Sequence, residues 1–188
     1  MKAEEIRLDD GLLAVRSLSR ALGGQAQLTD VGSLVWMLIR QIVPCDAMVL
    51  FLPDDMHEHV EARVAAGAHA SRLRGITRPM ATGLAGWVAV NRLPILNGEP
   101  ILDLGLCADA APALRSAIVV PLLESDVVIA VLALYSRDLL AFSDDHLRAL
   151  ELLAPNLAES LVDVVIADED RLAPVARSFP ALTLVHSR

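Results

Sequence analysis

The sequence predicts a mixed α+β domain with helices at both ends and strands between them. Apolar residues recur at three- and four-residue steps near both termini, a spacing typical of amphipathic helices. Between residues 46 and 136, short runs rich in Val, Ile and Ala alternate with turn-forming residues, as strands do. A chain of 188 residues suits one domain with appended segments.

The first two predicted elements are helices. An amphipathic stripe over residues 5–22 ends at Gly23. This stripe includes Leu8, Leu12 and Val15. A second apolar stripe over residues 31–42 predicts another helix, for which Thr29 or Asp30 is the expected cap.

Three strands and a short helix are predicted next. The strands cover residues 46–53, 59–67 and 74–80, and each is bounded by Pro, Gly or Asp. The stretch Gly83–Trp87 reads Gly-Leu-Ala-Gly-Trp, which predicts a tight turn into a helix. Residues 98–114 then lack any period, and irregular segments of this length in compact domains are frequently functional.

A hairpin and a long helix complete the pattern. Residues 116–123 and 127–136 are β-favouring runs joined by a polar turn, and Pro121 predicts an edge position or a bulge. The long helix begins after its predicted cap Ser143, and Pro155 is expected to kink it. Its apolar seam, spaced as in a coiled coil, includes Leu147, Leu150, Leu157 and Leu161.

Composition excludes several classes of function. The net charge of −8 without a Lys/Arg stripe argues against a nucleic-acid ligand. No apolar run reaches the roughly 20 uninterrupted residues of a membrane span, and the charged N-terminus is not a signal peptide. Two cysteines without metal-like spacing indicate a reducing compartment, so a cytoplasmic location is expected.

Three stretches of local sequence resemble the GAF domain family. They are residues 83–97, 115–136 and 141–161, which occur in the family's order and spacing within a match over about residues 28–165. Ala130 stands where the family usually has Gly. The matching positions are Gly83, Gly86, Trp87, Pro94, Ile95, Ser116, Pro121, Leu122, Val131, Leu132, Phe142, Ser143 and Asp145.

The resemblance implies an antiparallel sheet of about six strands. Helices from both termini would lie on one face, and residues 83–114 would cover a small-ligand pocket on the other. Trp87 is expected mainly to pack the covering helix onto the sheet, and also to form one wall of the pocket. The candidate ligand-binding residues are Met80, Trp87, Asp103, Leu104, Cys107, Arg115, Ser116 and Leu132.

The sequence lacks most of the functional motifs that known classes of this family use. The Asn-Lys-x-x-x-Phe-Asp-Glu motif of cyclic-nucleotide binders does not occur, and Cys107 has no adjacent His such as bilin attachment commonly uses. His57 and His59 could share one side of a strand, but a solvated turn explains them better than a metal site. Free methionine-sulfoxide reductases need two cysteines; Cys107 lies near one position, whereas Ala85 occupies the other.

The sequence therefore predicts a non-catalytic sensory or regulatory domain of a bacterial-type signalling protein, with no metal or cofactor. Residues 1–27 would be a dimerisation and signalling helix, residues 28–165 the GAF-like domain, and residues 166–188 a tail or linker. The terminal helices would pair in a homodimer and pass a signal from an unidentified ligand to an output domain. The alternatives are a structural dimerisation module without ligand and a reductase-like enzyme.

Overall fold

A computed structural model describes residues 27–105 and 114–176, with side chains up to residue 166. Its helices are α1 (Leu28–Ile39), α2 (Ala70–Leu73), α3 (Gly83–Asn91), α4 (Ile101–Leu104) and α5 (Asp144–Ala176). Its strands are β1 (Ala47–Pro53), β2 (His59–Gly67), β3 (Thr77–Pro79), β4 (Ile95–Gly98), β5 (Ser116–Glu124) and β6 (Val127–Ser136). The predictions for Leu8, Leu12, Val15 and Cys107 concern residues outside the described part of the chain.

The strands form one antiparallel sheet in the order β3-β2-β1-β6-β5-β4, which confirms the predicted α+β fold. The hairpin turn consists of Ser125 and Asp126, which have φ angles of 48° and 65°. Two positive φ angles make the tight turn that suits the twist of a two-residue hairpin. The bulge predicted at Pro121 lies one residue further on, between Leu122 and Leu123.

Alternation along the strands gives the sheet two faces, each with its own core. We call one the helix face, because Leu50, Ile118 and Leu134 pack there with α1 and α5. We call the other the pocket face, because α3 and α4 cover Phe51 and Tyr135 there. The terminal helices thus lie on one face and the short helices on the other, as expected.

The seam of α5 is turned inward, so the prediction that it forms a dimer interface is wrong. Leu150, Leu157 and Leu161 are at most 1% exposed and belong to the core of the helix face, and Leu147 packs against the same core. A stripe at three- and four-residue steps requires an apolar partner, and here that partner is the chain's own sheet.

The helix ends agree only in part with expectation. Ser143 caps α5, since its Oγ accepts a hydrogen bond from the backbone N–H of His146 at 3.3 Å. In contrast, α1 begins at Leu28, so its N-cap is Gln27, which makes no side-chain cap bond. Pro155 lies inside a helix that continues to Ala176, beyond the start of the predicted tail. No helix among the described residues is long and apolar enough to cross a membrane.

Candidate functional site

Helix α3 lies on the pocket face without a cap of its own. It begins at Gly83, which has a φ of +66°. Thr82 occupies the N-cap position but makes no side-chain cap bond. Its hydroxyl instead donates to the carbonyl oxygen of Pro79 at 2.7 Å. The first backbone N–H groups of a helix have no partner within the helix, so those of α3 must be satisfied from elsewhere.

A carboxylate from another element supplies the missing cap. Asp103, on α4, is fully buried. Its Oδ1 accepts hydrogen bonds from the backbone N–H groups of Leu84 at 2.8 Å and Ala85 at 2.9 Å. Its Oδ2 accepts a hydrogen bond from the hydroxyl of Tyr135 at 3.0 Å. One side chain therefore joins α3, α4 and the central strand β6.

Arg78 brings a positive charge to the same region. Arg78 pairs with Val60 across β3 and β2, which places it in register with a pocket-face residue. Its Nη1 donates to the carbonyl oxygen of Thr77 at 3.0 Å. A Cβ on Gly105 would lie only 2.7 Å from Arg78 Nη2, so the guanidinium packs directly against the residue that follows α4. We refer to Arg78, Asp103 and Tyr135 as the polar cluster.

Burial governs the ionisation of the polar cluster. Desolvation raises the pKa of Asp103 above its ordinary value, and this outweighs the opposing effect of its hydrogen bonds and of the Arg78 charge. Desolvation, together with the negative charge of Asp103, holds the pKa of Tyr135 well above 10. Tyr135 therefore stays a hydrogen-bond donor at neutral pH.

Three of the predicted ligand residues come together on the pocket face. Asp103 and Leu104 are fully buried there, and Met80 packs against the same core while half-buried. Trp87 does not join them. It lies on the outer side of α3 and is 37% exposed, so the prediction that it packs α3 onto the sheet is wrong.

Three other predicted residues lie elsewhere. Arg115 is exposed, and its backbone N–H donates to the carbonyl oxygen of Ser136 at 2.7 Å. Ser116 is buried, but its hydroxyl donates to the carbonyl oxygen of Asp138 at 2.7 Å, within the loop before α5. Leu132 belongs to the helix-face core, so its assignment to the pocket is corrected. Alternate residues of a strand point to opposite faces, and the prediction assigned Leu132 to the wrong one.

Sequence analysis missed two members of the polar cluster. Tyr135 is the chain's single tyrosine and shares its face with Val131 and Ala133. Alternation is interrupted near the start of β6, because Val128 packs on the pocket face and both Ile129 and Ala130 pack on the helix face. A count from the start of the strand would therefore have placed Tyr135 on the wrong face. No local signal identified Arg78, because its strand has only three residues.

His59 and Cys45 lie outside the polar cluster. His59 Nδ1 lies 3.2 Å from Asp54 Oδ2 beside the turn after β1. No group of three potential metal ligands occurs among the residues that the structure describes. Burial, followed by the charge of Asp46, raises the pKa of Cys45 to about 12. Its thiol is therefore a poor nucleophile, because the thiolate is the reactive form.

Two grooves open away from the polar cluster. One of about 210 Å³ lies between Pro94, the distal half of β5 and Pro155 of α5. Another of about 380 Å³ lies between Asp54, the start of β6 and Val162 of α5. Neither is lined by any of the predicted ligand residues.

Solved structures with the same fold include GAF domains and free methionine-R-sulfoxide reductases. The GAF domain of a phosphoenolpyruvate-protein phosphotransferase from Coxiella burnetii is 18% identical, with 88% of this chain and 97% of that chain covered and a TM-score of 0.62. Its Acinetobacter counterpart is 16% identical, with 81% and 91% covered and a TM-score of 0.61. Free methionine-R-sulfoxide reductase from Neisseria meningitidis, solved with its substrate, is 18% identical, with 85% and 91% covered and a TM-score of 0.65.

These identities are low, so the likeness to solved structures establishes the fold alone. No curated protein sequence matches the chain significantly. The sequence model of the GAF domain, however, matches residues 25–162, which is most of the chain. Together with the six-stranded sheet and its flanking helices, this match shows that the chain belongs to the GAF domain family.

Proposed function

We propose that this chain is a non-catalytic sensory or regulatory GAF domain. It binds a small ligand or a partner on the pocket face and passes the change to its terminal helices. The observation that carries the proposal is the buried carboxylate of Asp103, which holds α3 and α4 against β6. A ligand that alters this contact would alter the position of both short helices.

The surroundings of the polar cluster support a binding role. Small-ligand sites are mostly apolar, with a few polar groups that fix the orientation of the ligand. The pocket face has this composition, since Phe51, Val119 and Leu104 belong to the same apolar core as Tyr135, whose hydroxyl donates to the carboxylate of Asp103. Arg78 adds a cation that remains partly exposed.

Two observations support a non-catalytic role. Ala85 occupies the position where the resemblance to free methionine-sulfoxide reductases requires a cysteine, and its backbone N–H is bound to Asp103. Cys45, with its pKa near 12, is not suited to take the place of that cysteine. A thiol–disulfide cycle needs a second thiol, so Cys107 alone would lack a resolving partner within the domain.

The route to the terminal helices runs through β6. Tyr135 contacts Asp103 on the pocket face, and its neighbour Leu134 packs in the core that contains Leu157 and Leu161 of α5. Because the α5 seam is buried within the chain, pairing in a homodimer is proposed through the stripe at residues 8–15 rather than through that seam. We also propose that a downstream output domain receives the signal from the terminal helices.

Native mass spectrometry of the full chain, purified from the cells that express it, tests ligand binding. We expect a dimer that carries an additional non-covalent mass, which denaturing conditions remove. Arg78→Met should reduce the bound fraction, whereas Arg74→Met, a change at an exposed arginine nearby, should not. A dimer without additional mass would instead favour the structural dimerisation module, and a monomer would overturn pairing of the helices.

A reductase assay tests the non-catalytic part of the proposal. The chain is incubated with free methionine-R-sulfoxide and dithiothreitol, and methionine is measured by chromatography. We expect no methionine above that in the protein-free control. Methionine formation that Cys107→Ser abolishes would show that the chain is an enzyme.

A further inference from the structure

We propose that Asp103 is a releasable latch: while its carboxylate is engaged, the first turn of α3 is closed on the pocket face, and release opens that turn while the sheet stays folded. The latch would regulate access to the pocket face, and its biological role rests on the proposed ligand-binding function.

Helix α3 depends on a cap from another element. It has nine residues, two of them the helix-destabilising glycines Gly83 and Gly86. Helices this short are marginal in water without tertiary support. Because the hydroxyl of Thr82 bonds elsewhere, the N–H groups of Leu84 and Ala85 rely on Asp103. Loss of that carboxylate would leave two buried donors without their partner.

Apolar packing holds α3 only weakly. The buried side chains of α3 are Leu84, Ala85, Val88 and Ala89, of which two are alanines. Its outer side carries Trp87, at 37% exposed, and Val90, at 50% exposed. Hydrophobic stabilisation is proportional to the apolar area removed from water, so small side chains contribute little of it. The hydrogen bonds of Asp103 are therefore a large part of what closes this helix.

The contact of Asp103 with the sheet is made to a rigid element. Tyr135 lies on the central strand, and its register with Ala47 and Ala117 joins it to β1 and β5. Both of those strands are buried on the two faces of the sheet. Tyr135 thus provides a fixed end for the latch, whereas α3 and α4 are the parts that can separate from it. Local opening draws on such weakly packed elements rather than on core strands.

Amide hydrogen exchange of the full chain, without added ligand, tests the latch. Asp103→Ala should accelerate exchange across residues 84–88 by about tenfold to a hundredfold, as expected for the loss of hydrogen bonds to a buried charge. Exchange in β1 and β6 should change much less. The matched control is Asp46→Ala, which removes a carboxylate that accepts the backbone N–H of Arg137 at the end of β6. That variant should leave exchange in α3 unchanged.

Two milder variants keep the test decisive if Asp103→Ala does not fold. Asp103→Asn retains an oxygen for the N–H groups of Leu84 and Ala85, so α3 should stay closer to the parent than in the alanine variant. Tyr135→Phe removes only the hydroxyl that anchors Oδ2 and should accelerate exchange in α3 more than in β1. Equal acceleration in α3, β1 and β6 in these variants would overturn the latch, since it would indicate a uniform loss of stability.

The exchange experiment and the native mass spectra fail independently. Selective opening of α3 with no bound ligand would leave the latch standing and remove the proposed sensory function. A bound ligand with no selective opening of α3 would support the proposed ligand binding and overturn the latch. A short-lived open form need not be resolved directly, because exchange reports its population.

Discussion

The two faces of the sheet are held by different kinds of interaction. On the helix face, long helices pack large apolar side chains such as Leu150, Leu157 and Ile39 in a continuous core. On the pocket face, short helices contribute few apolar side chains each, such as Leu84 and Val88 of α3, and the buried carboxylate of Asp103 fixes their position. Apolar burial is strong but non-directional, whereas hydrogen bonds depend on geometry. The helix face therefore supplies stability, and the pocket face supplies a contact that can be made or broken.

The largest effect is expected at the helix face. Leu157→Ala should lower the free energy of unfolding by about 2–5 kcal/mol, because Leu157 is fully buried against the sheet. Urea unfolding measures the loss, and light scattering after gel filtration measures the molecular mass. The mass should be unchanged, since this seam packs within one chain. A changed mass with unchanged stability would mean that the seam joins two chains.

A pair of glycines tests the pocket face. Gly83 and Gly75 have φ angles of +66° and +80°, so alanine strains both backbones alike. A Cβ on Gly83 would lie 2.8 Å from Asp103 Oδ1 and 2.9 Å from the carbonyl oxygen of Leu102, whereas nothing lies within 4 Å of a Cβ on Gly75. Gly83→Ala should therefore cost about 1–3 kcal/mol more than Gly75→Ala in urea unfolding. Equal losses of unfolding free energy in the two variants would show that Asp103 can move away from the new methyl group without a measurable cost.

The pH dependence of stability tests the burial of the charge. Because burial raises the pKa of Asp103 above 3.8, the folded chain holds this proton more tightly than the unfolded chain does. Stability relative to Asp103→Asn is therefore greatest below pH 3.8 and falls as the pH rises through the folded pKa. Urea unfolding of both proteins from acid to neutral pH measures the difference. A relative stability that rises with pH would show that the hydrogen bonds of Asp103 outweigh its desolvation.

The smallest effect is expected at the outer side of α3. Trp87→Ala should lower the free energy of unfolding by only about 1 kcal/mol, because the side chain is 37% exposed and belongs to neither core. Trp36→Ala should cost more, since its ring lies against Gly67 and beneath the guanidinium of Arg40. Thermal or urea unfolding of the two variants compares them. A large loss at Trp87 would mean that another surface covers this residue.

Local patterns predicted the elements well and their partners less well. The hairpin turn at Ser125 and Asp126 and the cap at Ser143 follow from residues within a few positions of one another. The apolar seam of α5 predicted a helix that must be buried, but the same pattern fits either a second chain or the chain's own sheet. Only the packed structure shows that Leu157 and Leu161 meet the sheet.

The sequence by itself predicted the order of the longer helices and strands and the hairpin, but not the short helices α2 and α4. It also placed Met80, Asp103 and Leu104 in one region. These depend on periodicity, turn-forming residues and the family resemblance. The tertiary structure alone decided that Asp103 caps a helix 18 and 19 residues earlier and binds Tyr135, which lies 32 residues later. Hydrogen bonds between such distant residues leave no periodic trace in the sequence, because they arise only when separate elements pack on one face of the sheet.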